Sequence, residues 1–315
     1  MAALLIRRLA FLPVLLVFVS LLVFFLPRLA GVDPTLAILH ARVPERNPDP
    51  EVLDRIRAEL GLDRPVPLRF LSWLERLARG DLGYSYVTRE PVAGLLREGL
   101  AVTATLVGLC LALAVVVAVP LGVVAAIRPG KWLDNLIAIG SQVGVAVPEY
   151  WIALLLILLF AQRLGWLPSA GWRGPAYMVM PVLTLAFRPI AYFAWATRAA
   201  VIEAMRMDSF RAARARGLTR TRTIWVHALR NALIPVVTLV ALWLAGMLGG
   251  SVIVEVIFGI PGIGLVLYNA VLATDLPLIQ AGLVFLISLA VVINTLADLA
   301  YVALNPAIRL SRPQP

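Results

Sequence analysis

Metal and redox chemistry have little to work with in this chain, which holds two histidines, His40 and His227, and one cysteine, Cys110, in 315 residues. Two distant imidazoles make no metal cluster, and no H-E-x-x-H occurs. A lone thiol in an apolar run forms no internal disulfide and says nothing of redox compartment. The phosphate-binding G-x-x-x-x-G-K-[ST] is missing too. Gly130-Lys131-Trp132 is not a Walker A motif, so ATP is not bound that way. No arrangement for nucleophilic catalysis stands out, and the chain reads as non-catalytic, with no metal or cofactor of its own. Charge is equally scarce: 15% of residues are charged against 61% hydrophobic, with a mean hydropathy of +0.90. Alternating segments of about 10 residues, the mark of a membrane β-barrel, are lacking. So are internal repeats with a period of roughly 20 to 50 residues.

What is present is a set of long apolar runs. Several exceed the roughly 18 residues needed to cross a hydrocarbon core of about 30 Å, so the fold class is all-α, a polytopic membrane protein. Six spans are expected, at 9–26, 100–127, 133–162, 178–197, 232–258 and 280–304. Arg7 and Arg8 before the first run resemble a secretory signal, but the run is longer than an h-region and no A-x-A site follows. It reads as an uncleaved span after a short cytoplasmic N-terminus, 1–8. The net charge of +10 then reflects topology signals, not nucleic acid. Arg128, Lys131, Arg309 and Arg312 belong inside, with a tail over 305–315, whereas 259–278 has no basic residue and belongs outside. Both termini are thereby cytoplasmic.

Between the first two spans, 27–99 has eight prolines, and its eleven basic residues balance eleven acidic ones. This is a water-facing insertion, with helical apolar spacing over 51–60 and 70–78.

The opposite bias marks 198–231, where Arg198, Arg206, Arg211, Arg214, Arg216, Arg220, Arg222 and Arg230 face only Glu203 and Asp208. Each arginine at mid-depth would cost about 2.5 to 3.5 kcal/mol, so this is an aqueous, cytoplasmic loop. Good helix formers ending at a glycine predict a short helix over 209–217. A cationic helix of this kind serves as a docking knob, or the loop is a bare positive-inside signal.

Inside the spans, Glu149 follows Pro148 and Arg188 precedes Pro189. Proline kinks a helix, and a carboxylate beside it is costly in hydrocarbon, which makes Glu149 a candidate for a polar translocation path. The alternative is a bond within the bundle or a side chain reaching the interface, and Arg188 poses the same choice. Asn294 and Asp298 share one face of the last span, and Gly140 with Gly144 and Gly246 with Gly250 form two G-x-x-x-G pairs for close packing.

The order Arg211-Ala212-Ala213, then Gly217, followed by His227-Ala228-Leu229-Arg230-Asn231-Ala232-Leu233-Ile234-Pro235, resembles the EAA loop of permease subunits of bacterial importers driven by ATP-binding cassettes. Within that family it is similar to the dipeptide, oligopeptide and nickel branch, although arginine stands at 211 in place of the leading glutamate. The segments Gly80-Asp81-Leu82-Gly83-Tyr84-Ser85, Leu164-Gly165-Trp166-Leu167-Pro168 and Leu304-Asn305-Pro306-Ala307-Ile308-Arg309 extend the resemblance along nearly the whole chain. The long outer loop resembles the first of the two permeases in such operons.

The resemblance implies a type I importer bundle with a five-helix core over 100–304. It further implies a coupling helix carried by Ser209, Arg211, Ala212, Ala213, Arg214, Arg216 and Gly217, and an outer gate at Glu255, Pro261 and Gly262. Implied partners are a homologous second permease, two ATPase subunits holding ATP and magnesium, a periplasmic or lipid-anchored substrate-binding protein and membrane lipid. The location would be the bacterial inner membrane. The substrate would be a di- or oligopeptide, or alternatively nickel, glutathione or an oligosaccharide. The rival class, an ion-coupled secondary transporter, should carry internal repeats and several midplane charges.

Overall fold

A computed structural model describes residues 2–29, 31, 51, 54, 58 and 63–304. Regular structure among them is helical, apart from one isolated antiparallel bridge between Tyr84 and Pro91. The helix expected over 51–60 lies largely outside the described residues, and so do the tail 305–315 and His40. The chain divides into two compact units, 1–103 with 261–292, and 104–260 with 293–315.

In the first unit, α1 (Ala2–Leu29) packs on α2 (Val66–Ala78). Proline enters the first turn of α2, where a missing N–H costs nothing. Phe70 and Trp73 of α2 lie against Phe24 of α1, with ring centroids 5.3 and 5.7 Å from it. Trp73 and Leu77 close over a small core of Val19, Val23 and Val284. A second core joins the first turns of α3 (Val92–Ile127) to α11 (Ile263–Leu272) and the start of α12 (Leu276–Leu304), through Val92, Leu96, Ile263, Leu267, Leu278 and Ala281. Gly99 makes this approach possible: a methyl there would lie 3.0 Å from the backbone of Ile263.

The second unit is built around α6 (Pro175–Arg206). Packed on it are α4 (Trp132–Ala146), α5 (Glu149–Leu156) with its π-helical continuation Ile157–Arg163, and α9 (Leu229–Gly250). Small residues set these distances. A methyl on Gly122 would come 2.6 Å from the Ala194 carbonyl, and one on Gly144 2.6 Å from the Ala191 methyl. Gly140, Gly246 and Gly250 meet nothing within 4 Å, so of the two G-x-x-x-G pairs only Gly144 is used for close approach. Between α6 and α9 run α7 (Asp208–Ala215) and α8 (Arg220–Thr223), the latter passing through a π-helical turn Ile224–Ala228. Following α9 is α10 (Val252–Phe258), which ends at Gly259 in the left-handed conformation, φ 59°.

The helices depart from the bounds of the expected spans in several places. The run 133–162 is not one helix: Val147 is extended, as a residue before proline prefers to be, and Pro148 begins a new helix bent 101° from the first. The run 232–258 likewise breaks between α9 and α10, with a bend of 52°. The helix expected at 178–197 runs from 175 to 206, because Pro175 suits a first turn and Arg198 finds a buried partner. The helices expected from 100 and 280 begin earlier, at 92 and 276, and the segment 259–278 contains α11. Among the described residues, three helices, α3, α6 and Leu276–Ala297 of α12, are each long and apolar enough to cross a membrane; counting each bent pair as one span raises the number to five. The protein is a multi-pass membrane protein.

Candidate functional site

The short helix expected over 209–217 is found one residue earlier, as α7, Asp208–Ala215. Asp208 stands in its first turn, where a carboxylate suits the positive end of the helix dipole. Past its end, Gly217 takes φ 87°, a conformation a side chain would resist. The helix is two-faced. Phe210 packs on a core of Val123, Val201, Ile224 and Ala232, and Ala213 is fully buried within its own chain. Arg211, Ala212, Arg214 and Arg216 are exposed, as are Ser209 and Gly217. The adjacent alanines therefore divide: Ala213 seats the helix on its bundle, and Ala212 is free to face a groove.

The cations on this face are weakly held by their own chain. Arg211 lies 3.6 Å from Asp208, with both side chains mostly exposed, and Arg214 donates to the Leu218 carbonyl at 2.6 Å. Exposed pairs of this kind contribute about 0 to 1 kcal/mol, so their charge remains available to a partner. Nearby, Arg220 reaches the Ile127 carbonyl at 3.4 Å, and Thr219 caps α8 by accepting from the Arg222 N–H. The cationic 128–131 turn and the arginine segment thus share one end of the unit, as one-sided charge requires.

Arg198 behaves differently, although the sequence places it in the same cationic segment. It forms a two-pronged salt bridge with Asp134, Nη2 lying 2.8 Å from Oδ2 and Nε donating to Oδ1. Asp134 is almost wholly buried and also accepts the Gly130 N–H at 2.8 Å. The bridge fastens α4 to α6. Sequence reasoning missed it, and the available signal was Asp134 itself, an acidic residue at the edge of a run otherwise apolar.

Glu149 and Arg188, singled out separately as path candidates, are brought together. Glu149 opens α5 directly after the Pro148 break, and Arg188 reaches it from α6 with Nη1 3.5 Å from Oε1. The contact is long and single, and the Arg188 side chain is 40% exposed. Arg188 precedes Pro189, whose missing N–H leaves the Leu185 carbonyl without its usual helical donor. Thus a bent helix start and a proline-interrupted helix present opposite charges at one place.

The proposed gate residues fall in both units. Glu255 is fully buried in α10 and accepts the Ser251 hydroxyl at 2.7 Å, while its carbonyl accepts the Ile260 N–H at 2.9 Å. Pro261 is exposed and Gly262 buried in the first unit, where Gly262 caps α11.

Also in the first unit, a latch escaped sequence reasoning. The Ser85 hydroxyl and the Tyr86 N–H both donate to the buried Asp275 carboxylate, and the Ser85 oxygen accepts from the Val87 and Thr88 N–H groups. Gly80-Asp81-Leu82-Gly83-Tyr84-Ser85 therefore shapes a loop pinned to the entrance of α12. Asp275, an acidic residue in a segment without a basic one, was its only trace.

Comparison with known proteins accords with this arrangement. Residues 118–310 match the binding-protein-dependent transport system inner membrane component family, and residues 1–107 match the N-terminal membrane-component family of the same systems. A Brucella abortus protein named "Putative peptide transport system permease protein" is 38% identical, covering 98% of this chain and 99% of the relative. The glutathione transport system permease protein GsiC of Escherichia coli K12 is 36% identical over 96% of this chain and 97% of its own length. Among solved structures, the MetNI methionine ABC transporter in inward-facing conformation superposes with a TM-score of 0.57 at 21% identity, covering 69% of this chain and 99% of that one. By sequence along almost its full length, and by fold in its helical core, this chain belongs to the binding-protein-dependent transport system inner membrane component family, the permease subunits of ABC importers.

Proposed function

We propose that this chain forms half of the translocation pathway of an inner-membrane importer for di- or oligopeptides. It would work with a second permease, two ATPase subunits that carry ATP and magnesium, and a periplasmic or lipid-anchored receptor. In this reading α1 is a sixth span beside the five candidate crossings, and the positive-inside charge bias puts both termini in the cytoplasm. The observation that carries the reading is the division of α7, with Phe210 and Ala213 held in the bundle and Arg211, Arg214 and Arg216 turned outward. Such a helix moves with its bundle while offering cations to the acidic rim of an ATPase cleft, so closure of two ATPases would be transmitted to α6 and α9.

Glu149 and Arg188 would face the passing substrate. A peptide carries an ammonium and a carboxylate, and a long, partly exposed ion pair offers a counter-charge for each. Peptide-like cargo is supported by the relatives' names, and glutathione, a tripeptide, belongs to the same chemical class. The Glu255 and Pro261-Gly262 segments would lie on the outer side with the 27–99 insertion, where a loaded receptor docks. ATP hydrolysis by the complex reconstituted with the permease, ATPase and receptor encoded beside it tests this reading. Stimulation by receptor loaded from a peptide pool is expected. Failure of any ATPase to assemble would contradict the importer, and stimulation by nickel or an oligosaccharide alone would replace the cargo.

A further inference from the structure

The first unit contains a cavity that coupling and gating leave unused. Its volume is about 1160 Å³, above the roughly 300–1,000 Å³ of a small-molecule pocket. It opens where α1 ends and α12 begins, with Phe24 on one wall and Pro277 and Gln280 on another. Arg64, Arg69, Arg76 and Arg89 line it, against Glu75 and Asp81. Glu75 takes the Arg79 guanidinium at 2.6 Å, and Asp81 takes the Gly83 N–H at 3.0 Å. The described part of the lining therefore carries four guanidinium groups against two carboxylates. Burial and the nearby Arg28, which closes α1, both hold the Arg69 guanidinium below its ordinary value.

α2 explains how the cavity meets the bilayer. One of its faces, Phe70, Trp73 and Leu77, packs on α1, while Arg69, Ser72 and Arg76 face the cavity. Leu68 and Leu71, 56% and 58% exposed, point outward from the same helix. Apolar outward residues, tryptophan and arginine on a short amphipathic helix beside the end of a span describe a helix lying in the headgroup layer.

We infer that this cavity binds the headgroup of an anionic phospholipid, its phosphate among Arg64, Arg69, Arg76 and Arg89 and its upper acyl chains along Phe24 and the Leu68–Leu71 edge. Guanidinium groups match phosphate oxygens in pairs, and the aromatic wall accounts for the apolar part, which a free anion would not need. The inference needs only that α1 and α12 cross the bilayer. Lipid binding requires neither ATPase nor substrate, so its failure and failure of the importer reading are separate results.

The test is native mass spectrometry of the assembled complex in detergent, titrated with dioleoylphosphatidylglycerol or dioleoylphosphatidylcholine. Wild type should retain phosphatidylglycerol at least about tenfold better, and R69Q/R76Q should weaken that retention by roughly thirtyfold, about fivefold for each arginine near the surface. R69K/R76K keeps the charge and should retain most of it; because it preserves the fold's cations, it stands in if the glutamine variant fails to assemble. Equal retention of the two lipids, or unchanged retention in R69Q/R76Q, would overturn the site. Displacement of the lipid by inorganic phosphate would make it a free-anion site instead. Full lipid retention in R69Q/R76Q, with receptor stimulation of ATPase lost, would reassign the surface to protein docking and likewise overturn the proposal.

Discussion

Two ion pairs of the second unit, a few turns apart along α6, use the same chemistry for opposite ends. Asp134 and Arg198 meet through two hydrogen bonds, with the carboxylate buried and also held by the Gly130 N–H. Glu149 and Arg188 meet through one contact of 3.5 Å at a helix break, the Arg188 side chain 40% exposed and the Glu149 side chain 18%. The first pair has every reason to stay closed, since parting it leaves a buried charge without a partner. The second is held by a single long contact, with the Arg188 side chain 40% exposed, so it is the easier of the two to part. Full satisfaction marks architecture, and partial satisfaction marks a place where something else can bind.

The comparison breaks most sharply at Asp134. D134N should cost about 3 to 5 kcal/mol, read as loss of expression or a lowered unfolding temperature of the purified complex. A stable D134N protein would show that the bridge is dispensable. Beside it, G144A should cost about 1 to 3 kcal/mol by pushing α4 off the Ala191 methyl, whereas G140A, with open space around it, should stay within about 0.5 kcal/mol. Equal effects in the same unfolding assay would refute the close packing.

On the working side, R211Q/R214Q/R216Q should lower uptake by at least about tenfold through loss of charge complementarity to the ATPase, while unfolding temperature barely moves. Unchanged transport in the triple variant would return the segment to a mere topology signal. Smallest of all, E149Q should alter peptide uptake by several-fold and stability by less than about 1 kcal/mol, as suits a part-exposed pair. Wild-type uptake kinetics there would assign Glu149 to packing.

What the sequence revealed follows the same division. Apolar runs, the cationic 198–231 segment and the glycine stop at 217 are local signals; α7 came out of them almost in place, while the ends of α3 and α6 moved by two turns or more. Pro148 announced a disturbance, but not that Val147 and Pro148 would turn the chain by 101°. Pairings between distant residues stayed hidden. Nothing local in Asp134 points to Arg198, 64 residues on, and nothing in Ser85 points to Asp275, 190 residues on. Glu149 and Arg188 were each conspicuous as charges in apolar runs, and their meeting depended on how α5 packs on α6. Ala213 shows the same limit from the other side: its small size was legible, but the face it would occupy was not.

The most direct test of the account is cysteine cross-linking from α7 to the ATPase in the assembled complex, for which the native background is one buried thiol, Cys110. A212C and R216C, on the exposed face, should form cross-links to the ATPase whose yield changes on adding ATP, and A213C, inside its own bundle, should form none. Cross-links from A213C, or none from A212C and R216C in a complex that still transports, would contradict α7 as the coupling element.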